Sequence, residues 1–145
     1  MISVGVFHSH KKIKIHVAGT RCLVRYVLKN EMRHNAEINI IFINDSMMIE
    51  MNRKYLHHDY PTDVLCFLLN ETKNLLDGEV YINIDQARRQ ALEYLATYRE
   101  EYARLIIHGV LHLVGYEDAT KKERKRMTAL ENNYISKIRA KNILL

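Results

Sequence analysis

Glu100 to Gly115 reads EEYARLIIHGVLHLVG. Ala103, Ile106, Ile107, Val110, Leu111 and Val114 recur at helical spacing and cover more than a narrow stripe of the helix surface, which predicts a helix buried on more than one side. Gly115 stands where a left-handed residue would end it. Strand signals before it are few. EINIIFI (Glu37 to Ile43) combines alternation with β-branched bulk, DVLCFLL (Asp63 to Leu69) reads as a second strand, and EVYINI (Glu79 to Ile84) as a third. NETKNLLDG between the last two reads as a connection, and the N-terminal MISVGVFHSHKKIKIHV alternates early and then carries charges.

Helices are predicted over about 20–33, from an N-cap among Asn44, Asp45 and Ser46 to about Leu56, and from Asp85 into the upper nineties. TKKE opens a last helix as a capping box, with Thr120 at the N-cap and Glu123 three residues on. The expected class is α+β, a small mixed sheet of about four strands packed with about five helices.

At 145 residues, with 48% hydrophobic and 27% charged side chains, the chain falls in the ordinary globular range, and one domain over residues 1–145 is expected. One proline, Pro61, and the lack of a Gly/Ser linker or repeat agree with that. No apolar run approaches bilayer length, and the N-terminus carries no secretion signal, so neither a membrane nor export is expected. Cys22 and Cys66 share no metal-type spacing and are expected as reduced thiols in the cytoplasm.

The net charge of +5 is unevenly distributed. From Thr120 to Leu145 there are eight Lys/Arg and two Asp/Glu, a balance of +6, against −1 for the remaining 119 residues. Lys121, Lys122 and Arg124 fall in the first turn of the last helix, where cations oppose the helix dipole by roughly 0.3–1 kcal/mol each. Such an arrangement suits either a phosphate-bearing partner or a solvated helix face.

His108 and His112 lie one turn apart on one helix face and can point at one ion, as paired histidines of zinc hydrolases do. Alternatively, both are core histidines satisfied by hydrogen bonds. An imidazole in so apolar a helix must satisfy two ring nitrogens, which a metal on one and a carbonyl or carboxylate on the other achieves. A reversal through Gly115 and Tyr116 can return Glu117 or Asp118 to the histidine face. Gly109, at about 0.5–1 kcal/mol cost in a helix interior, needs a reason such as close packing or room for a ligand.

HGVLHLVGYED resembles the H-G-x-L-H-L-x-G-Y-D-H signature of the YbeY family, the endoribonucleases of ribosomal RNA maturation. MNRKYLHHDYPTDVLCF resembles that family's N-x-x-Y…D-x-P-T-D-V-L-S-F stretch, and GEVYI its G-D-I-x-I strand. The resemblance covers about Glu37 to Glu131. It implies a zincin-like fold, one zinc ion per chain without an organic cofactor, and single-strand cleavage in ribosomal RNA (16S) processing at the small ribosomal subunit.

The family's third histidine falls on Asp118, so the implied ligands, and the catalytic set, are His108, His112 and Asp118, with Glu117 the neighbouring candidate. Aspartate is an acceptable zinc ligand, but an anion there makes a bound water less acidic. Leu56 stands where many family members carry arginine. Zinc chemistry serves phosphodiester and amide hydrolysis alike. In the protease motif H-E-x-x-H the base glutamate follows the first histidine, whereas here that position is Gly109, which counts against a protease.

Glu117 and Glu79 are left as candidate bases. Lys121, Lys122, Arg124, Thr62 and Asp63 are candidate substrate contacts, with Asp63 also able to orient a ligand histidine. Tyr55, Tyr60 and Tyr116 are candidate stacking platforms for bases. A non-catalytic ribosome-associated RNA-binding factor with a structural metal is the rival reading, and a metalloprotease-like hydrolase the second.

Overall fold

The computed structural model describes residues 1–8, 14–72 and 74–141. In chain order these form β1 (Ile2–His8), α1 (Val17–Asn30), β2 (Ala36–Ile43), α2 (Asp45–Leu56), β3 (Val64–Thr72), β4 (Leu75–Asn83), α3 (Ile84–Glu93), α4 (Tyr98–Leu113) and α5 (Lys121–Ala140). The sheet order is β1-β2-β4-β3, with β1–β2 and β2–β4 parallel and β3 antiparallel to β4. The expected α+β class with a mixed four-stranded sheet is what forms. Among the described residues no helix is long and apolar enough to cross a membrane.

Several boundaries differ from expectation: α1 stops at Asn30 and not near residue 33, and α3 stops at Glu93 and not in the upper nineties. α1 begins at Val17 because the His16 side chain caps it, Nδ1 accepting from Gly19 N at 2.8 Å. α3 is capped by Asn83, whose side chain accepts from Asp85 N and Gln86 N, so Asp85 lies inside the helix and not at its cap. The segment expected to connect two strands is itself paired. β3 runs on to Thr72 and β4 starts at Leu75, a hairpin with an irregularity between Leu68 and Asn70.

Alternation along the strands gives the sheet two apolar faces. Ile38, Ile40 and Phe42 of β2 and Leu76, Val80 and Ile82 of β4 join the main core with α1 and α4. Ile43, Leu65, Phe67 and Tyr81 meet Met48 and Met51 of α2 on the other face. α4 touches α1, α3, α5, β3 and β4, which is why it is apolar over so much of its surface. Ile106, Ile107, Val110 and Leu111 are all fully buried, each stabilising the fold by about 1.5–3 kcal/mol relative to exposure.

Gly109 is where α4 presses closest to the sheet. A Cβ added there would come 2.4 Å from Val80 Cγ1 and 3.4 Å from Cys66 Sγ. Val80 is β-branched and has little rotamer freedom with which to yield. Gly109→Ala is therefore expected to destabilise the fold by roughly 1–2 kcal/mol, overpacking outweighing the helix-propensity gain. Urea denaturation measures this, and a variant as stable as wild type would contradict the close approach.

Candidate metal centre

α4 closes in a Schellman turn. Gly115 has φ of 114°, Gly115 N donates to His112 O at 3.1 Å, and Tyr116 N donates to Leu111 O at 3.0 Å. The reversal carries Asp118 back along the helix face that displays His108 and His112. The three side chains converge. His108 Nε2 and His112 Nε2 are 3.0 Å apart, and Asp118 Oδ2 lies 3.4 Å from the first and 3.3 Å from the second. Among the described residues these three form the one group of ligating side chains able to hold a metal ion. Glu117 is exposed and is not part of it.

The far side of His108 is also engaged. Its Nδ1 lies 2.6 Å from Oε2 of Glu131 on α5, and Arg104 Nη1 is 3.4 Å from the other oxygen of that carboxylate. Burial alone would lower the His108 pKa, but the hydrogen bond to Glu131 and the charges of Glu131, Asp118 and Asp63 outweigh it and hold the value above the ordinary 6.5. Glu131 is buried and was not among the sequence candidates. Its signal was a carboxylate in the buried stripe Met127, Glu131, Tyr134, Ile138, where the period asks for a hydrophobe.

Two cavities meet at the cluster. One, of about 430 Å³, runs along the edge strand β3 and is lined by Thr62, Asp63, Cys66, Leu68, His108 and Asp118 among others. The second, of about 460 Å³, lies towards α5 and includes Asp63, Arg104, His108, Asp118, Arg124 and Glu131. Cys66 lies outside the group of converging ligand atoms. Burial, reinforced by the charges of Asp63 and Asp118, pushes its thiol up to about 12, and Sγ sits 3.7 Å from the Gly109 carbonyl as a donor.

The loop carrying Thr62 and Asp63 is pinned by two asparagines. Buried Asn52 donates through Nδ2 to Tyr60 O at 2.9 Å and Thr62 Oγ1 at 3.2 Å. Asn83 donates from Nδ2 to Thr62 O at 3.2 Å and from its backbone N to Asp63 O at 2.8 Å. Thr62 thus closes the loop, while Asp63 faces both cavities. The carboxylate that meets a histidine ring nitrogen on the side away from the cluster is Glu131, not Asp63.

Other candidates separate from the cluster. Glu79 follows the opposite strand parity from Val80 and accepts from Tyr81 OH at 3.3 Å, on the α2 side of the sheet. Tyr55 packs edge-on against Phe67 at 5.0 Å on that same side, and Leu56 is exposed at the end of α2. Tyr60 stacks on His58 at 4.8 Å. Tyr116 donates to Glu31 at 2.7 Å with Arg126 over its ring. None of these lines either cavity at the histidines. Arg124 lines the second and donates to Ala119 O at 2.7 Å; Lys121 and Lys122 are exposed and line neither.

The family model described as Endoribonuclease YbeY matches residues 6–139. The chain is 39% identical over 116 residues to the Endoribonuclease YbeY of Chloroherpeton thalassium, spanning 80% of this chain and 82% of that protein. It is 37% identical over 119 residues to that of Cytophaga hutchinsonii, spanning 82% and 83%. The solution structure of TM1509 from Thermotoga maritima superposes with a TM-score of 0.69 at 26% identity, covering 95% of this chain and 90% of that one.

Proposed function

The chain belongs to the YbeY endoribonuclease family, and from that premise we propose that it is a zinc-dependent, single-strand endoribonuclease of the cytoplasm, a single domain over residues 1–145 that acts on 16S ribosomal RNA precursors at the small ribosomal subunit. The observation that carries the reading is the triangle of ligand atoms, with sides of 3.0, 3.3 and 3.4 Å. A tetrahedral zinc ion with bonds of about 2.0–2.1 Å keeps neighbouring ligand atoms about 3.3 Å apart, so two imidazole nitrogens and one carboxylate oxygen fit it without rearrangement. Bound there, the ion supplies Lewis acidity towards a phosphoryl oxygen and towards water.

The chain's own groups do the rest. His108, His112 and Asp118 would hold an ion from one side, and the cavities beside them would leave room for substrate, as catalytic and not closed structural zinc requires. Thr62 and Asp63, held by Asn52 and Asn83, form the wall of the cleft along β3. Arg124 offers a guanidinium to RNA phosphate in the second cavity, and exposed Lys121 and Lys122, in the first turn of the same helix, add positive potential that steers a polyanion. A peptidase reading is disfavoured at Gly109, since a base-bearing side chain there would drive into Val80.

The test is metal content paired with cleavage of single-stranded RNA. One zinc per chain and cleavage abolished by a chelator are expected, and a zinc-free, chelator-insensitive protein refutes the reading. Zinc uptake without cleavage would favour the non-catalytic RNA-binding factor. Uptake also depends on pH with a defined sign. Zinc needs a bare nitrogen on His108, and in the metal-free protein that ring stays protonated above the ordinary 6.5. Apparent zinc affinity should then fall about tenfold per pH unit as pH drops below that raised value. The same shift means that the protonated His108–Glu131 pair stabilises the metal-free fold fully below 6.5 and is lost as pH rises through the raised value. Zinc competition titrations across this range check it; a flat profile would contradict it.

A further inference from the structure

We propose that Glu131 is the positioning residue of the metal centre, fixing His108 in the tautomer whose Nε2 is free to bind an ion; this rests on the metal reading above. An imidazole offers two nitrogens, and a neutral ring with its proton on Nε2 cannot ligate through that atom. The Glu131 carboxylate lies 2.6 Å from Nδ1, so the proton is drawn to Nδ1–H, which donates to Oε2. The opposite nitrogen, 3.0 Å from His112 Nε2 and 3.4 Å from Asp118 Oδ2, is left as a bare lone pair facing the cluster.

The placement is costly to the fold, and this favours a specific role. Glu131 interrupts the apolar stripe of α5 and is 7% exposed. A buried carboxylate has to be charge-paired or hydrogen-bonded, and Glu131 is held by Arg104 at 3.4 Å on one oxygen and by His108 on the other. The contact also ties α5 to α4 across 23 residues of chain, so the helix after the Asp118 loop orients a ligand carried by the helix before it. A methionine would fill the stripe with no buried charge; the carboxylate makes sense as a partner for the ring.

Two variants separate positioning from packing. Glu131→Met keeps the volume and removes the acceptor, whereas Glu131→Gln keeps an acceptor oxygen for Nδ1–H. Zinc affinity is measured by competition with a chromophoric chelator, and the His108 tautomer by ¹⁵N NMR of the zinc-free protein at alkaline pH. Glu131→Met is expected to bind zinc about 10–100-fold more weakly, with His108 shifted towards the Nε2–H form, while Glu131→Gln recovers most of the affinity. Wild-type affinity in Glu131→Met, or an unchanged His108 tautomer, overturns the assignment. A wild type that takes up no zinc overturns the hydrolase reading and this one together; zinc uptake undiminished in Glu131→Met overturns this one alone.

Discussion

His112→Ala is expected to strip the protein of zinc and to abolish RNA cleavage while leaving the fold intact. His112 Nε2 is one corner of the triangle, and its removal leaves one imidazole and one carboxylate. Zinc sites in small peptides are worth about 10–16 kcal/mol over four ligands, so a single ligand carries about 3 kcal/mol, a loss of affinity on the order of a hundredfold or more. The His112 side chain is 22% exposed at the cleft, outside the apolar core that holds α4 to the sheet, so stability should change little. Zinc analysis after dialysis, circular dichroism and cleavage assays read the three effects separately. A folded His112→Ala protein that keeps one zinc per chain would exclude the pair as ligands.

How far this was legible in the sequence depends on whether a feature is local. The buried helix, its two histidines and its glycine stop are all set by spacing within one turn or two, and α4 follows them. The capping box at Thr120 and Glu123 is equally local and forms as expected. The β3–β4 hairpin was not legible, because Asn70, Glu71 and Thr72 sit on an exposed edge where no buried face imposes alternation. His16 as a cap escaped for another reason: a ring nitrogen replaces the usual short oxygen-bearing side chain.

At the site, spacing delivered the histidines but not their environment. Asp63 was the candidate for orienting a ring, yet Glu131 from a different helix reaches Nδ1. Only the angle at which α5 crosses α4 decides this, and no periodicity encodes that angle. Strand parity would have removed Glu79 from the list of bases, since it alternates with Gly78 and Val80, both of which meet α4. Gly109 had two readings, room for a ligand or close packing, and the 2.4 Å approach to Val80 settles it as packing.

Asp118 is the position where this chain parts from the signature it resembles, and its replacement separates charge from shape. Asp118→Asn preserves size and the loop, with the side chain 40% exposed and outside the core, but exchanges an anionic oxygen for a neutral amide that is a poor zinc ligand. Zinc affinity should fall on the order of a hundredfold, as for any lost ligand, with cleavage falling alongside. Asp118→His should retain zinc, because an imidazole nitrogen restores a third donor and the Schellman turn that presents it is set by Gly115 and not by residue 118. The longer ring must still reach the same corner of the triangle, so affinity in Asp118→His reports how closely the loop is fitted to aspartate. Glu117→Ala is the control: exposed and outside the cluster, it should match wild type in both zinc and cleavage. Zinc retained in Asp118→Asn and lost in Glu117→Ala would move the third ligand back by one residue along the loop, and the turn geometry drawn from Gly115 would be wrong with it.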